Sequence, residues 1–457
     1  MKLISTNPSE NYAVLGEVDM SSQSDVEAAV TSAHQLLPVW SGMTLDERCG
    51  AVRSFVAVVK RRADEIATLI TTETGRLTTT VGGHVQGAFE YLEAYCDMAP
   101  AVLAPVETVR KGNERHLVHR EPYGVIAAIC PWNYPLLNIV WQCGQALIAG
   151  NTIVYKNSEE NPLFTQLVDE LFNESDIPNG VFNVLYGDDT VGRAMIESNV
   201  DLISFTGSSA TGREIAQVAA RRQIPFFAEM GGSSPGIVFD DIDLDEYAGE
   251  IFWRRFFHSG QTCDSLKRLI VHESKFDEVV DTLRAIAEKV RIGPANDPET
   301  QLGPLVAERQ VVTLAAQVDD SMAMGANVVI GGRRPNGLQG AYYEPTILTH
   351  ITRDMRVWNE ETFGPVLPVV SFETEDEAIA LANDTEYGLT SYVMTNDAGR
   401  FARVAKAIKA GAVVQNHGTY DDPASPFGGY KRSGFGRTNG EFGFHEATQP
   451  KLVSFEV

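Results

Sequence analysis

The stretch GVIAAICPWNYPLLNIVWQCGQALIAGNTIVYK, residues 124–156, decides the fold. GVIAAIC (124–130) is a short, wholly apolar run, and NTIVYK (151–156) is a second one. Between them, residues 139–149 carry apolar side chains at helical spacing and stop at a glycine. A strand apolar on both faces has to be covered on both, and a helix between two such strands implies a parallel pair.

The same rhythm continues outward. VFNVLYG (181–187), LISFTG (202–207) and PFFAEM (225–230) read as further strands, with helices over about 162–175, 190–198 and 209–221. After Gly231-Gly232-Ser233-Ser234-Pro235 a second series begins. Its strands are GIVFD, KRLIVHE, NVVIGG, PVLPVVSFE, TSYVMT and GAVVQN, and its helices cover about 243–257, 274–291, 305–324, 374–383 and 397–409. Upstream, residues 24–75 and 81–98 read as helices. The fold class is α/β, with two parallel-sheet units that share no repeated motif.

Two stranded pieces lie outside this rhythm. VETVRKGNERHLVHRE (106–121) alternates about Gly112-Asn113, a hairpin signal, and KLVSFEV (451–457) is an isolated strand. Neither has a partner nearby in sequence. They are expected to pair with each other or with another subunit, because an open strand edge is a liability.

Composition narrows the function. The chain has 457 residues, and 37 basic against 61 acidic side chains leave a formal net charge of −24. Such a surface repels a phosphate backbone, which argues against nucleic acid. No apolar run is long enough to span a membrane. The five cysteines, 49, 96, 130, 143 and 263, are odd in number and form no CxxC pair, so a reducing cytoplasm is expected and no disulfide framework is. The histidines offer no metal-binding constellation.

Four of these cysteines sit in helical or apolar contexts. Cys263 lies in FHSGQTCDSLKR (257–268), a polar bend with a glycine, where a substrate can approach a thiolate. Glu229, at the end of a parallel strand, stands where α/β proteins place ligands, and burial there would suit it as a general base. Asn133, after the strand 124–130, can donate to an oxyanion. SFTGSSATG (204–212) aims the free N–H groups of a helix start at an anion. Lys156 ends a strand with Glu159 beyond it, and an acid there binds ribose hydroxyls and repels a 2′-phosphate. Taken singly, each has a plain alternative: a surface glutamate, an ordinary turn, a helix-entry acid.

Their order decides between these. PWN, VYKNSE, FTGS, EMGG, FHSGQTC, EETFGP and PFGGYKRSG together resemble the aldehyde dehydrogenase superfamily over essentially the whole chain. The resemblance implies a Rossmann-like cofactor domain (1–105 and 122–232), an α/β catalytic domain (233–432) and a small β bridging element (106–121 and 440–457) that joins a homodimer or homotetramer. It implies Cys263 as nucleophile, Asn133 as oxyanion donor and Glu229 as the base for the deacylating water. Lys156 and Glu159 would hold the adenosine ribose, Gly207, Ser208 and Gly231 would approach the cofactor, and Glu361 and Phe363 would position the nicotinamide end. Tyr134, Trp141 and Phe257 would line the substrate tunnel.

The expected reaction is NAD-dependent oxidation of an aldehyde to its acid, with NADP disfavoured by Glu159. An aromatic box without a cation implies an uncharged aldehyde. Succinate semialdehyde and acyl transfer to coenzyme A are the alternatives, the latter opposed by Glu229. Asp264 is unexplained, because a negative charge beside a nucleophilic thiol should raise its pKa.

Overall fold

The computed structural model of the protein describes all of residues 1–457. Its first large sheet has six strands in the order Gly434–Phe435, Phe226–Glu229, Leu202–Thr206, Val125–Ile129, Thr152–Lys156 and Phe182–Leu185. All are parallel except Gly434–Phe435, which pairs antiparallel with Phe226–Glu229.

The apolar runs divide their side chains between two cores, as a period of two requires. Ile126 and Ala128 join a core with Phe55, Tyr95, Leu136 and Phe172, supplied by the N-terminal helices. Val125 and Ala127 face the opposite way, toward Val26, Met195 and Ile215. The sheet is therefore sandwiched between helical layers, which is why its strands carry no polar face.

The second sheet has seven strands: Asn327–Ile330, Thr346–Thr349, Val366–Phe372, Leu266–His272, Ser234–Val238, Thr390–Met394 and Ala412–Gln415. Only the outermost pair, Asn327–Ile330 with Thr346–Thr349, is antiparallel. Val238, Leu269 and Val271 face one core, and Ile237 and Ile270 face the other.

The two orphan pieces find each other within one chain. Thr448–Glu456 pairs antiparallel with Glu114–Pro122 in the register Leu452 opposite Val118, and Val106–Lys111 completes a three-stranded sheet. Val106, Leu452 and Phe455 remain exposed on it. Residues 440–446 do not belong to this sheet; they form a helix, Gly440–Glu446, whose Phe444 packs on Tyr95.

Several elements escaped the sequence reading, the strand Gly434–Phe435 and the helix Gly440–Glu446 among them. Lys2–Asn7 and Ala13–Asp19 form a hairpin, Thr346–Thr349 is a strand, and the segment Pro135–Ala149 contains a π-helical turn at Val140–Gly144. Such a turn widens the helix by one residue and is frequent at functional sites. Here it carries Trp141.

Candidate active site

A cleft of about 1270 Å³ opens between the two sheets, at the carboxyl ends of the parallel strands. Cys263, Glu229, Asn133, Lys156, Glu159 and Ser208 all line it, as do Gly207, Gly231, Glu361 and Phe363. Residues up to 230 positions apart in the sequence thus meet in one space.

The turn that presents Cys263 is strained and clamped. His258, Ser259 and Gly260 have φ of 48°, 54° and 72°. For the two non-glycine residues the left-handed conformation costs about 1–2 kcal/mol each. A β-carbon at Gly260 would lie 2.4 Å from the Gly364 carbonyl oxygen, so only glycine fits. The Ser259 hydroxyl donates to the Gly303 carbonyl at 2.7 Å, and the Gln261 side-chain oxygen accepts from Val306 N–H at 2.9 Å. Asn133 Nδ2 donates to the Gln261 carbonyl at 3.0 Å. That bond uses one amide hydrogen and leaves the second to donate elsewhere.

The electrostatics around the thiol are mixed. Burial pushes the Cys263 pKa up, the Asp264 carboxylate pushes it further, and Lys267 opposes both. Lys267 donates from Nζ to the Gly232 carbonyl at 2.8 Å and the Cys263 carbonyl at 3.0 Å, and forms an ion pair with Glu361. Sequence reasoning missed it. The only local signal was a lysine four residues past Cys263 at the start of an apolar strand.

Glu229 is buried, and neither carboxylate oxygen has a hydrogen-bond partner in the protein. Burial pushes its pKa well up, with Arg437 pulling the other way. Such a group is held ready for a proton rather than for a salt bridge. Gly231 and Gly232 keep the strand end open: β-carbons there would lie 2.1 Å from Glu361 Oε2 and 2.5 Å from the Cys263 carbonyl oxygen.

At the other end, Ser208 caps the helix Ser209–Arg222 by accepting from Thr211 N–H at 3.2 Å. Lys156 is buried, and its ammonium donates to the Asn157 carbonyl at 3.0 Å. Glu159 is half-exposed. It lies 3.6 Å from Arg309, which also binds Glu160 at 2.6 Å.

Phe257 follows the helix Leu244–Phe256, is 37% exposed, and packs on the Arg76 guanidinium at 5.4 Å. The same guanidinium packs on the Tyr134 ring at 4.5 Å, so Phe257 stands one side chain away from the cleft wall. His258 lies edge-on to the Tyr134 ring. Tyr134 and Trp141 line the cleft, with centroids 5.9 Å apart, and so do Asp264 and Asp421.

Comparison with known proteins decides the family. The aldehyde dehydrogenase family profile matches residues 2–453. This chain belongs to the aldehyde dehydrogenase family. Aminoaldehyde dehydrogenase 1, peroxisomal, of Pisum sativum is 38% identical over 98% of this chain and 91% of that protein. The NADP(+) succinate-semialdehyde dehydrogenase GabD of Escherichia coli is 34% identical over 98% and 93%. A structure of betaine aldehyde dehydrogenase from Staphylococcus aureus in complex with NAD+ superimposes with a TM-score of 0.96 at 33% identity, covering 99% of this aldehyde dehydrogenase and 91% of that chain. The two-sheet frame described above is thus the aldehyde dehydrogenase fold, and aldehyde oxidation is the chemistry its relatives share.

Proposed function

We propose that this aldehyde dehydrogenase oxidises an aldehyde to its carboxylic acid through a thioester on Cys263, with NAD as acceptor. The observation that carries the reading is the unpartnered, buried Glu229 carboxylate lining the same cleft as Cys263 and Asn133.

The Cys263 thiolate attacks the carbonyl carbon, a C–S bond forms, and the carbonyl π pair moves to oxygen. Asn133 donates its second amide hydrogen to that oxyanion, with the Cys263 backbone N–H as the second donor. One donor of this kind contributes about 3–4 kcal/mol to lowering the barrier. The chemistry a bound nicotinamide supplies is acceptance of the hydride that departs from this carbon, which leaves the thioester. Glu229 then takes a proton from water, the hydroxide attacks the thioester carbon, and the acid departs as the C–S bond breaks. The sum is aldehyde, NAD+ and water giving acid, NADH and a proton.

The residues suit a dinucleotide. The capped start of the helix Ser209–Arg222 faces the cleft beside Gly207 and Ser208, where it would take the pyrophosphate. Lys156 and Glu159 would hold the adenosine ribose. Glu361, held by Lys267, and Phe363 would hold the nicotinamide end near Gly231. Glu159 favours NAD over NADP. Arg309 does not cancel this, because it is shared between two carboxylates and the local charge stays negative.

Residues 1–105 and 122–232 form the proposed cofactor-binding domain, 233–432 the catalytic domain, and the sheet of 106–121 with 448–457 the element that joins subunits, without the helix Gly440–Glu446. The five free cysteines fit a cytoplasmic enzyme, and no helix is long and apolar enough to cross a membrane.

The test is NADH formation over a panel of aldehydes, with Cys263→Ala as control. Activity retained in the control, or a higher kcat/KM with NADP, would contradict the respective part. An acyl-CoA product on addition of coenzyme A would contradict hydrolysis.

A further inference from the structure

The charges lining the cleft are segregated. Its cations, Lys156, Arg193, Arg213, Arg221 and Arg309, stand on the strand Thr152–Lys156 and on the helices that flank the proposed cofactor end. Around Tyr134 and Trp141 the lining carries no lysine or arginine. It carries Asp264 and Asp421 instead.

These two carboxylates are built into an aromatic wall. The rings of Tyr134 and Trp141 lie 5.9 Å apart, and those of Trp141 and Tyr91 lie 6.2 Å apart. The Tyr91 hydroxyl donates to Asp421 Oδ1, and the Tyr420 hydroxyl donates to Asp264 Oδ2. Each phenol therefore fixes one oxygen of a carboxylate. Asp421 Oδ2 accepts from no protein group, and the nearest donor to Asp264 Oδ1 is the Cys263 thiol at 4.0 Å. Two buried cations approach this end without lining it. Arg76 packs on the Tyr134 ring at 4.5 Å, and Lys267 is paired with Glu361.

Asp264 is half-buried and Asp421 is exposed, and each keeps a free oxygen with no ion-pair partner in the protein. A neutral aldehyde leaves both charges unpaired, and an anionic one adds repulsion. A substrate with an ammonium group pairs with them, and the aromatic faces add cation–π attraction. Resting on the dehydrogenase reading above, we infer that the substrate is a short ω-aminoaldehyde, its ammonium held by Asp421 and Asp264 against Tyr91, Trp141 and Tyr420 while its carbonyl faces Cys263. This replaces the uncharged aldehyde expected from an aromatic box that included Phe257.

Initial rates with NAD for 3-aminopropanal, butanal and succinate semialdehyde test it. The ammonium aldehyde is expected to have a kcat/KM about tenfold or more above butanal, the range of one hydrogen bond to a charged group, with succinate semialdehyde the poorest. Asp421→Asn and Asp264→Asn, which keep shape and remove charge, are each expected to cut the 3-aminopropanal to butanal ratio about tenfold. Equal or better use of butanal or succinate semialdehyde by the unaltered enzyme overturns the inference and leaves the dehydrogenase reading intact. A ratio unmoved in both variants overturns the assignment to these carboxylates. If none of the three aldehydes yields NADH with NAD, or NADPH when NADP replaces it, the dehydrogenase reading falls and takes this inference with it.

Discussion

Asp264 Oδ1 lies 4.0 Å from the sulfur of Cys263, so the proposed nucleophile has a negative charge as its chain neighbour. Burial and this charge both hold the thiol in its protonated form, and only the thiolate attacks. Reactivity should therefore climb as pH rises above neutrality. Removing the charge lowers the thiol pKa, so Asp264→Asn should move the profile toward lower pH. The check is the rate of Cys263 alkylation by neutral iodoacetamide against pH; a profile that stays in place would speak against the coupling.

Glu229→Gln keeps the size of the side chain and removes the base. Thioester formation should survive while its hydrolysis slows by about 10²–10⁴, the range for loss of a general base. Rapid-mixing kinetics should then show a burst of NADH equal to the enzyme concentration, followed by a slow steady state. Slowing of the burst itself, with no trapped acyl-enzyme in the mass spectrum, would place Glu229 elsewhere in the cycle.

Lys267 is buried and forms an ion pair with Glu361, so its loss strands a carboxylate beside the proposed nicotinamide site. Lys267→Met should destabilise the fold by about 3–5 kcal/mol, the usual consequence of halving a buried pair. It should also raise the KM for NAD. Denaturant melts and cofactor titration separate the two effects. A variant with unchanged KM would confine the lysine to a structural role.

The exposed edge of the three-stranded sheet, at Val106–Lys111 and Thr448–Glu456, is the surface proposed to join subunits. Truncation after Pro450 should dissociate the assembly, as read by light scattering. A shortened chain with unaltered mass and activity would count against it.

What the sequence made legible follows from distance along the chain. Cys263, Glu229 and Asn133 each sit at a strand end or bend beside glycine or proline, a local pattern that made them candidates and that only the order of the motifs singled out. Both sheets were visible because strands buried on two faces carry unbroken apolar runs. The left-handed turn at His258 and Ser259 was not legible, because the bond that clamps it runs to Gly303, which no local pattern reveals. Asp421 was invisible as part of the site because its partner Tyr91 is far away in sequence. The hairpin Lys2–Asn7 with Ala13–Asp19 was missed because its connection uses left-handed Asn11 and Tyr12 rather than a glycine turn.

The pairing of Leu452 with Val118 has a consequence for synthesis. The strand Glu114–Pro122 emerges from the ribosome long before the segment that covers its edge. Until that segment is made, the hairpin 106–121 presents an open strand edge, the kind of surface through which nascent chains associate wrongly. Closing so distant a pairing is intrinsically slow. For that edge of Glu114–Pro122 the vulnerable interval therefore runs from the synthesis of Val118 to that of Leu452, and pairing closes it.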